Sequence, residues 1–152
     1  MSKRMHVLWV EDKRDEINYA IDALTGTRLI EVDHFDNYAA LGSSSAKIRR
    51  RVARYDLLIL DTLIEKERET PDDFERFVES IVGQKPFLVC SRLGAQNEIT
   101  ALGGGYVDLG DYVARRGGLG VIQKLNAPPP KDETALWSVV EKVMWFYWTR
   151  VA

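Results

Sequence analysis

The chain has 152 residues, of which 45% are hydrophobic, and its 21 basic side chains nearly balance its 23 acidic ones. This length fits one domain over 1–152, and the apolar fraction with a net charge of −2 excludes a disordered chain. The small net charge also gives no general attraction to nucleic acid or to an anionic membrane.

No segment of the sequence has the pattern of a signal peptide or of a membrane span. The first apolar run, 7–10, is too short for a signal-peptide core. The most apolar stretch, 135–152, is interrupted by charged residues and lacks the roughly 20 apolar residues that a membrane helix needs. The single cysteine, Cys90, has no second cysteine with which to form a disulfide. We therefore expect a cytoplasmic protein.

The first half of the chain alternates short apolar runs with helical patterns, which is typical of βαβ units around a parallel sheet. We predict strands at 6–10, near 28–32 and at 57–60. Ile17, Ile21 and Leu24 recur at helical spacing and predict a helix that ends at Gly26. A second helix is predicted over 46–54.

The second half of the chain continues this alternation. Thr70 and Pro71 supply an N-cap and a first helical position, and the apolar residues from Phe74 to Val82 predict the buried stripe of a helix. The remaining predicted elements are a strand at 87–90, short helices near 97–102 and 111–116, a strand at 121–123, a proline-rich connector at 126–134 and a terminal helix at 135–151.

Polar and charged residues stand where several of the predicted strands end. They are Glu11 and Asp12 after the first strand, Asp61 after the third, Ser91 after the fourth and Lys124 after the fifth. Because the carboxyl ends of parallel strands meet at one edge of the sheet, we expect these side chains to converge. Close carboxylates repel one another, and burial raises their pKa values unless a cation relieves them. A hard divalent cation such as Mg²⁺ is the expected ligand.

Four short motifs carry these residues: VLWVED (7–12), YDLLILD (55–61), FLVCS (87–91) and VIQK (121–124). In this order they resemble the receiver domain of the two-component response regulators, and the resemblance covers most of 5–125. It implies a flavodoxin-like α/β fold with three layers, a doubly wound sheet and five parallel strands in the order 2-1-3-4-5.

The resemblance also implies a role for each site residue. The metal ligands for Mg²⁺ would be Glu11, Asp12, Asp61 and the backbone carbonyl of Leu63. Asp61 would accept a phosphoryl group from a histidine kinase or a phosphotransfer protein. Ser91 would contact the phosphoryl oxygens, and Lys124 would supply the counter-charge. Such a module is not an enzyme in the usual sense, since it catalyses at most its own phosphotransfer and dephosphorylation.

The chain departs from the usual receiver pattern beside these residues. Leu125 follows Lys124, where the family usually has proline, and Arg92 follows Ser91, where a small residue is usual. The aromatic switch residue that the family carries in its last strand is absent around 121–122. The chain therefore resembles an atypical receiver.

Three functions remain open at this point. The first is a stand-alone phosphoacceptor module that signals through contacts with an unknown output protein. The second is a pseudo-receiver that is never phosphorylated, which Arg92 and the missing aromatic residue favour. The third is a Mg²⁺-dependent phosphohydrolase with Asp61 as nucleophile. It is disfavoured because Thr62 and Leu63 do not supply the second aspartate of the haloacid dehalogenase pattern.

The same residues also allow purely structural interpretations. Glu11 and Asp12 would favour the N-terminus of a following helix, Ser91 would be a turn residue, and Lys124 would be a solvated charge. A basic cluster at 47–54 is interpreted as the solvated face of a helix rather than as a surface for nucleic acid.

The terminal helix carries more large side chains than one buried face accepts. Its predicted buried stripe is Leu136, Val139, Val140, Val143, Met144 and Tyr147. The other aromatic residues are Trp137, Trp145, Phe146 and Trp148. Since these cannot all share the stripe, we predict that some face outward and that the helix forms a homodimer or docks a partner protein. The alternative is that the glycine-rich segment 94–120 covers them.

Overall fold

A parallel sheet forms the centre of the fold. The structure, a computed structural model, describes residues 3–62, 71–100, 105–124 and 133–152. Its strands are, in chain order, β1 (Met5–Val10), β2 (Ile30–Phe35), β3 (Leu57–Leu60), β4 (Phe87–Ser91), β5 (Glu98–Thr100), β6 (Tyr106–Asp108) and β7 (Val121–Gln123). Five of them form the sheet in the order β2-β1-β3-β4-β7, and each neighbouring pair is parallel. The predicted strand order is confirmed, with β7 as the fifth strand.

Helices cover both faces of this sheet. They are α1 (Arg14–Thr25), a 3₁₀ turn (Ala39–Leu41), α2 (Ser45–Val52), α3 (Pro71–Ile81), α4 (Leu109–Arg115) and α5 (Glu133–Phe146), which continues as a π-helical turn (Tyr147–Val151). Helices α1 and α5 share a hydrophobic core with one face of the sheet, and α2, α3 and α4 share a second core with the other face. The predicted three-layer α/β architecture is confirmed.

The apolar runs of the sequence form the strands because helices cover both faces. All four residues of β3 are buried. In β1, Leu8 and Val10 point into the core beneath α2, α3 and α4, whereas Val7 and Trp9 point into the core beneath α1 and α5. A strand buried on both faces has no polar side, so its sequence shows a continuous apolar run instead of an alternation.

The predicted helix near 97–102 is wrong. Residues 98–100 form β5, which pairs antiparallel with β6, so a small hairpin stands in its place. Ile99 is buried and is the register partner of Val107, while the neighbouring Glu98 is exposed. This alternation has the period of a strand, and the segment is too short to show a helical period instead. The helix predicted near 111–116 is present as α4.

The terminal helix begins at Glu133, slightly earlier than predicted. Its stripe is buried at Leu136, Val139, Val140, Val143 and Tyr147, and Met144 packs against the same core. Phe146 is also buried, so among the aromatic residues of this helix only the tryptophans face outward: Trp137 is 42% exposed, Trp145 47% and Trp148 63%. The described part of segment 94–120 does not cover them. The part of the predicted connector from 126 to 132 lies outside the described residues. No helix among the described residues is long and apolar enough to cross a membrane.

Candidate functional site

Three carboxylates meet at the carboxyl edge of the sheet because β1 and β3 are neighbours in register. Val10 and Leu60 are paired, so the residues that follow them, Glu11 and Asp61, lie side by side. The amide of Asp61 donates to the carbonyl of Val10 at 3.2 Å. One carboxylate oxygen from each of Glu11, Asp12 and Asp61 lies within 4.8 Å of the other two, and all three residues are buried. We call them the acidic cluster.

Lys124 brings a positive charge into this cluster. Its backbone amide donates to the carbonyl of Ser91 at 2.6 Å, which fixes the residue just beyond β7. Its ammonium donates to Asp61 Oδ2 at 3.0 Å and also to Glu11 Oε2. The residue is only 4% exposed, so the interpretation of Lys124 as a solvated charge is wrong.

The electrostatics of the acidic cluster favour an additional cation. Burial and then the neighbouring charge of Asp61 raise the pKa of Glu11 to about 9, although Lys124 opposes the shift. Burial alone would lower the pKa of Lys124, but the carboxylates of Asp61 and Glu11 raise it above its ordinary value. With all three carboxylates ionised, the cluster and the ammonium together would carry two negative charges, which a divalent cation neutralises. The oxygen donors fit Mg²⁺.

Ser91 is buried beside the acidic cluster and is held by a residue that the sequence did not single out. Its Oγ lies 2.5 Å from Thr62 Oγ1 and accepts a hydrogen bond from the amide of Leu93 at 3.1 Å. The Ser91 hydroxyl is therefore engaged with Thr62 and not with Asp61. Its position in the sequence could have indicated this contact, since Thr62 is a hydroxyl residue directly after Asp61, beyond the end of the neighbouring strand β3.

Arg92 stands at the mouth of the site. Its guanidinium Nη2 lies 3.4 Å from Glu16 Oε1 at the start of α1, and its backbone carbonyl accepts from Gln123 Nε2 at 3.0 Å. Arg92 and Glu16 line a cavity together with the acidic cluster, Lys13 and Lys124. The cavity measures about 10 Å³, which is room for a single ion or water.

Two side chains from β2 and the segment after it hold the backbone of the site. The imidazole of His34 hydrogen-bonds the carbonyl of Glu11. The buried hydroxyl of Tyr38 donates to the carbonyl of Asp61. This second contact connects the 3₁₀ turn that follows Tyr38 directly to the third strand's end.

The structure thus brings together five of the six predicted site residues at one edge of the sheet. They are Glu11, Asp12, Asp61, Ser91 and Lys124. Leu63 lies outside the described residues. The roles assigned to these residues stay predictions, and the contacts of Thr62, Tyr38 and Arg92 are additions that the sequence did not give.

No protein-family model and no curated protein matches the chain. Solved structures do. The response regulator domain of CheB from Thermotoga maritima has a TM-score of 0.60 at 14% identity and covers 94% of this chain and 96% of its own. The beryllofluoride-activated NtrC receiver domain has a TM-score of 0.52 at 15% identity, with coverage of 92% and 97%.

A third match is a structure of the P1 domain of CheA3 in complex with CheY6 from R. sphaeroides. It has a TM-score of 0.53 at 13% identity and covers 95% of this chain and 99% of that one. The chain has the receiver fold. The predicted flavodoxin-like receiver architecture is therefore confirmed. In this receiver fold the acidic cluster occupies the carboxyl ends of the two central strands.

Proposed function

We propose that the chain is a phosphoacceptor signalling module in which Asp61 accepts a phosphoryl group when Mg²⁺ is bound. One observation carries the proposal: three buried carboxylates converge with a buried ammonium at the carboxyl edge of a receiver-type sheet. Burying such a cluster costs folding free energy, and buried ionisable groups with shifted pKa values are characteristic of functional sites.

The oxygen donors of the acidic cluster are the proposed ligands of Mg²⁺, with the backbone carbonyl of Leu63 as a further donor. When bound, the ion neutralises the carboxylates and the charge that develops on a transferring phosphoryl group. Its fit rests on the donor chemistry, because three buried carboxylates offer oxygen atoms within 4.8 Å of one another and such oxygen atoms are the ligands that Mg²⁺ prefers.

The residues of this chain then have separable tasks in the transfer. A carboxylate oxygen of Asp61 attacks the phosphorus, the new O–P bond forms, and the P–N bond to the donor's histidine breaks. The electron pair stays on the imidazole nitrogen, which takes up a proton. Lys124 stays protonated and offsets the charge gained at Asp61. The Ser91 hydroxyl exchanges its contact with Thr62 for one with a phosphoryl oxygen.

The proposed phosphodonor is a histidine kinase or a phosphotransfer protein. The structure of the P1 domain of CheA3 in complex with CheY6 supports this class of partner, because a chain of that complex matches the present fold. We further propose that output passes through protein contacts, and that the exposed tryptophans of α5 make a homodimer or partner surface. A cytoplasmic location agrees with the proposed donor.

A second candidate function is the pseudo-receiver, a module that binds partners without being phosphorylated. The ion pair of Arg92 and Glu16 favours it, because these side chains line the cavity beside Asp61 and leave it only about 10 Å³. In this alternative the pair excludes a phosphoryl group from the site.

Intact-mass spectrometry after incubation with Mg²⁺ and acetyl phosphate tests the proposal. We expect the wild-type chain to gain the mass of one phosphoryl group and Asp61→Asn to gain none. A mass gain that persists in Asp61→Ala would place the acceptor elsewhere. If the wild type gains no mass but Arg92→Ala does, the pseudo-receiver function is supported instead.

A further inference from the structure

A basic surface lies at helix α2, and none of the residues that line it belongs to the acidic cluster. Four cations surround a cavity of about 460 Å³ whose other wall is the backbone of 39–42. They are Lys47, Arg50, Arg51 and Arg54, spaced i, i+3, i+4 and i+7 so that they share one side of the helix and its end. We call this feature the basic groove.

Two of the arginines are held in place by the fold. Arg51 donates to the carbonyl of Ala40 at 3.2 Å and lies over the ring of Phe35 at 5.5 Å. Arg54 donates to the hydroxyl of Tyr55 at 3.3 Å and lies over the ring of Tyr55 at 5.3 Å. Stacked guanidinium groups keep spare donors and lose little freedom when a ligand binds.

No carboxylate pairs directly with a cation of the basic groove within the part of the chain that the structure describes, although Asp33 accepts a hydrogen bond from the Tyr55 hydroxyl that Arg54 contacts. Elsewhere in that part, Arg4, Arg76, Arg92 and Arg116 each pair with a glutamate or an aspartate. None of the four groove cations does so, and α2 contains no acidic residue. Four like charges without a direct ion pair around one cavity repel one another, so an acidic ligand relieves them.

The helix dipole explains only part of this arrangement. Cations near a helix C-terminus are favourable, and Arg49, Arg50 and Arg51 lie in the last turn of α2. The dipole does not require them to line a cavity, however, and Lys47 stands in the first turn. The convergence of first-turn, last-turn and post-helix cations on one cavity is the observation that points to a ligand.

The extent of the basic groove favours a short protein segment over nucleic acid. Four cations span about 10 Å along the helix, whereas a nucleic-acid surface tracks many phosphates along a longer path. The neighbouring cavity, beyond the 3₁₀ turn, is lined by Asp73 and Glu79 as well as Arg76, so the positive surface ends there. The chain as a whole carries a net charge of −2.

We propose that the basic groove docks an acidic segment, rich in aspartate and glutamate, of a partner protein. Its carboxylates form charge-assisted hydrogen bonds with Lys47 and Arg50, whose side chains make no hydrogen bond or ion pair among the described residues, and with the spare donors of Arg51 and Arg54. The groove does not include Asp61, so this docking does not require a phosphoryl group on Asp61.

Fluorescence anisotropy with a short labelled peptide of alternating Asp and Glu tests the proposal at low salt. We expect binding that weakens as the salt concentration rises and that falls by about tenfold or more in Arg50→Glu, since one charge-assisted contact is lost and one repulsion is added. Lys47→Glu provides a second, independent variant. The matched control is Arg115→Glu, which changes the same charge on the exposed surface of α4 and should alter the affinity by less than about twofold.

Three outcomes would overturn the proposal. The first is the absence of peptide binding by the wild-type chain, and the second is an equal loss in Arg115→Glu. The third is tighter binding of a labelled oligothymidylate than of the acidic peptide, with the same dependence on Arg50, which would assign the groove to nucleic acid. Circular dichroism of each variant excludes unfolding as the cause of any loss.

Discussion

Lys124 is the side chain on which the charge balance of the acidic cluster depends. It contacts both Asp61 and Glu11 while almost fully buried. Removing one partner of a buried ion pair leaves uncompensated charge, which is far more destabilising than the loss of a surface pair. Substitution of Lys124 should therefore lower the free energy of unfolding more than substitution of the exposed Lys47 does.

We expect Lys124→Ala to lower the free energy of unfolding by about 3 kcal/mol, and Mg²⁺ to restore part of the loss. Lys47→Ala, at an exposed position, is the control and should change stability by less than about 0.5 kcal/mol. Urea unfolding with and without Mg²⁺ measures both. Equal stabilities for the two variants would show that Lys124 does not balance the cluster.

Thr62 holds the hydroxyl of Ser91 away from the proposed phosphoryl position. In Thr62→Val the contact at 2.5 Å is lost, so Ser91 can turn to a phosphoryl mimic without giving up a hydrogen bond to residue 62. We expect tighter binding of beryllofluoride by Thr62→Val and a stability loss of about 1 kcal/mol.

The conservative variant Thr62→Ser keeps a hydroxyl and serves as the control for this prediction. It should retain the wild-type affinity for beryllofluoride, read from the fluorescence of the chain's tryptophans. If Thr62→Val and Thr62→Ser bind beryllofluoride alike, Thr62 does not position Ser91.

The elements differ in how far their sequence predicts them. The run 57–60 became β3 at the predicted bounds, because a strand buried on both faces needs four consecutive apolar residues and few other structures do. The hairpin of β5 and β6 was missed, since strands of three residues are defined by their pairing partner and not by their own pattern. Strand ends located Glu11, Asp61 and Lys124, whereas the Thr62–Ser91 contact depends on side-chain rotamers that no spacing encodes.

Helix α5 presents a surface that an isolated chain leaves exposed. Trp145 and Trp148 are 47% and 63% exposed, whereas the apolar stripe of the helix packs in the core. We expect sedimentation to show a mass that increases with concentration, and the double variant Trp145→Ala/Trp148→Ala to remain a monomer. Tyr106→Ala, which removes another exposed aromatic residue, should leave self-association unchanged. A wild-type chain that is monomeric at high concentration would leave only partner docking for this surface.

At the scale of the whole molecule, cation binding at the acidic cluster should stabilise the entire fold. The cluster joins β1 to β3 at the centre of the sheet, so it is assembled only in the folded chain. A ligand that binds only the folded state raises stability by about 2.7 kcal/mol at a concentration of 100 times its Kd. The thermal midpoint is the corresponding observable.

We expect Mg²⁺ to raise the thermal midpoint of the wild type and to have little effect on Asp61→Asn or Asp12→Asn. Without Mg²⁺ these variants should be at least as stable as the wild type, because each removes a repelling charge. Asp22→Asn, at an exposed position of α1, is the control and should respond like the wild type. An undiminished response in Asp61→Asn and Asp12→Asn would contradict the site assignment.

The hydrogen bond from Tyr38 to the carbonyl of Asp61 connects the acidic cluster with the segment that lines the basic groove. Tyr38 directly precedes the turn that lines the basic groove, so one side-chain hydrogen bond connects this turn with the backbone of Asp61. Thermodynamic linkage is reciprocal: if modification of Asp61 changes the groove's affinity by some factor, occupancy of the groove changes the equilibrium of modification by the same factor. A protein that reads the state of Asp61 through this groove would thereby also help to set it.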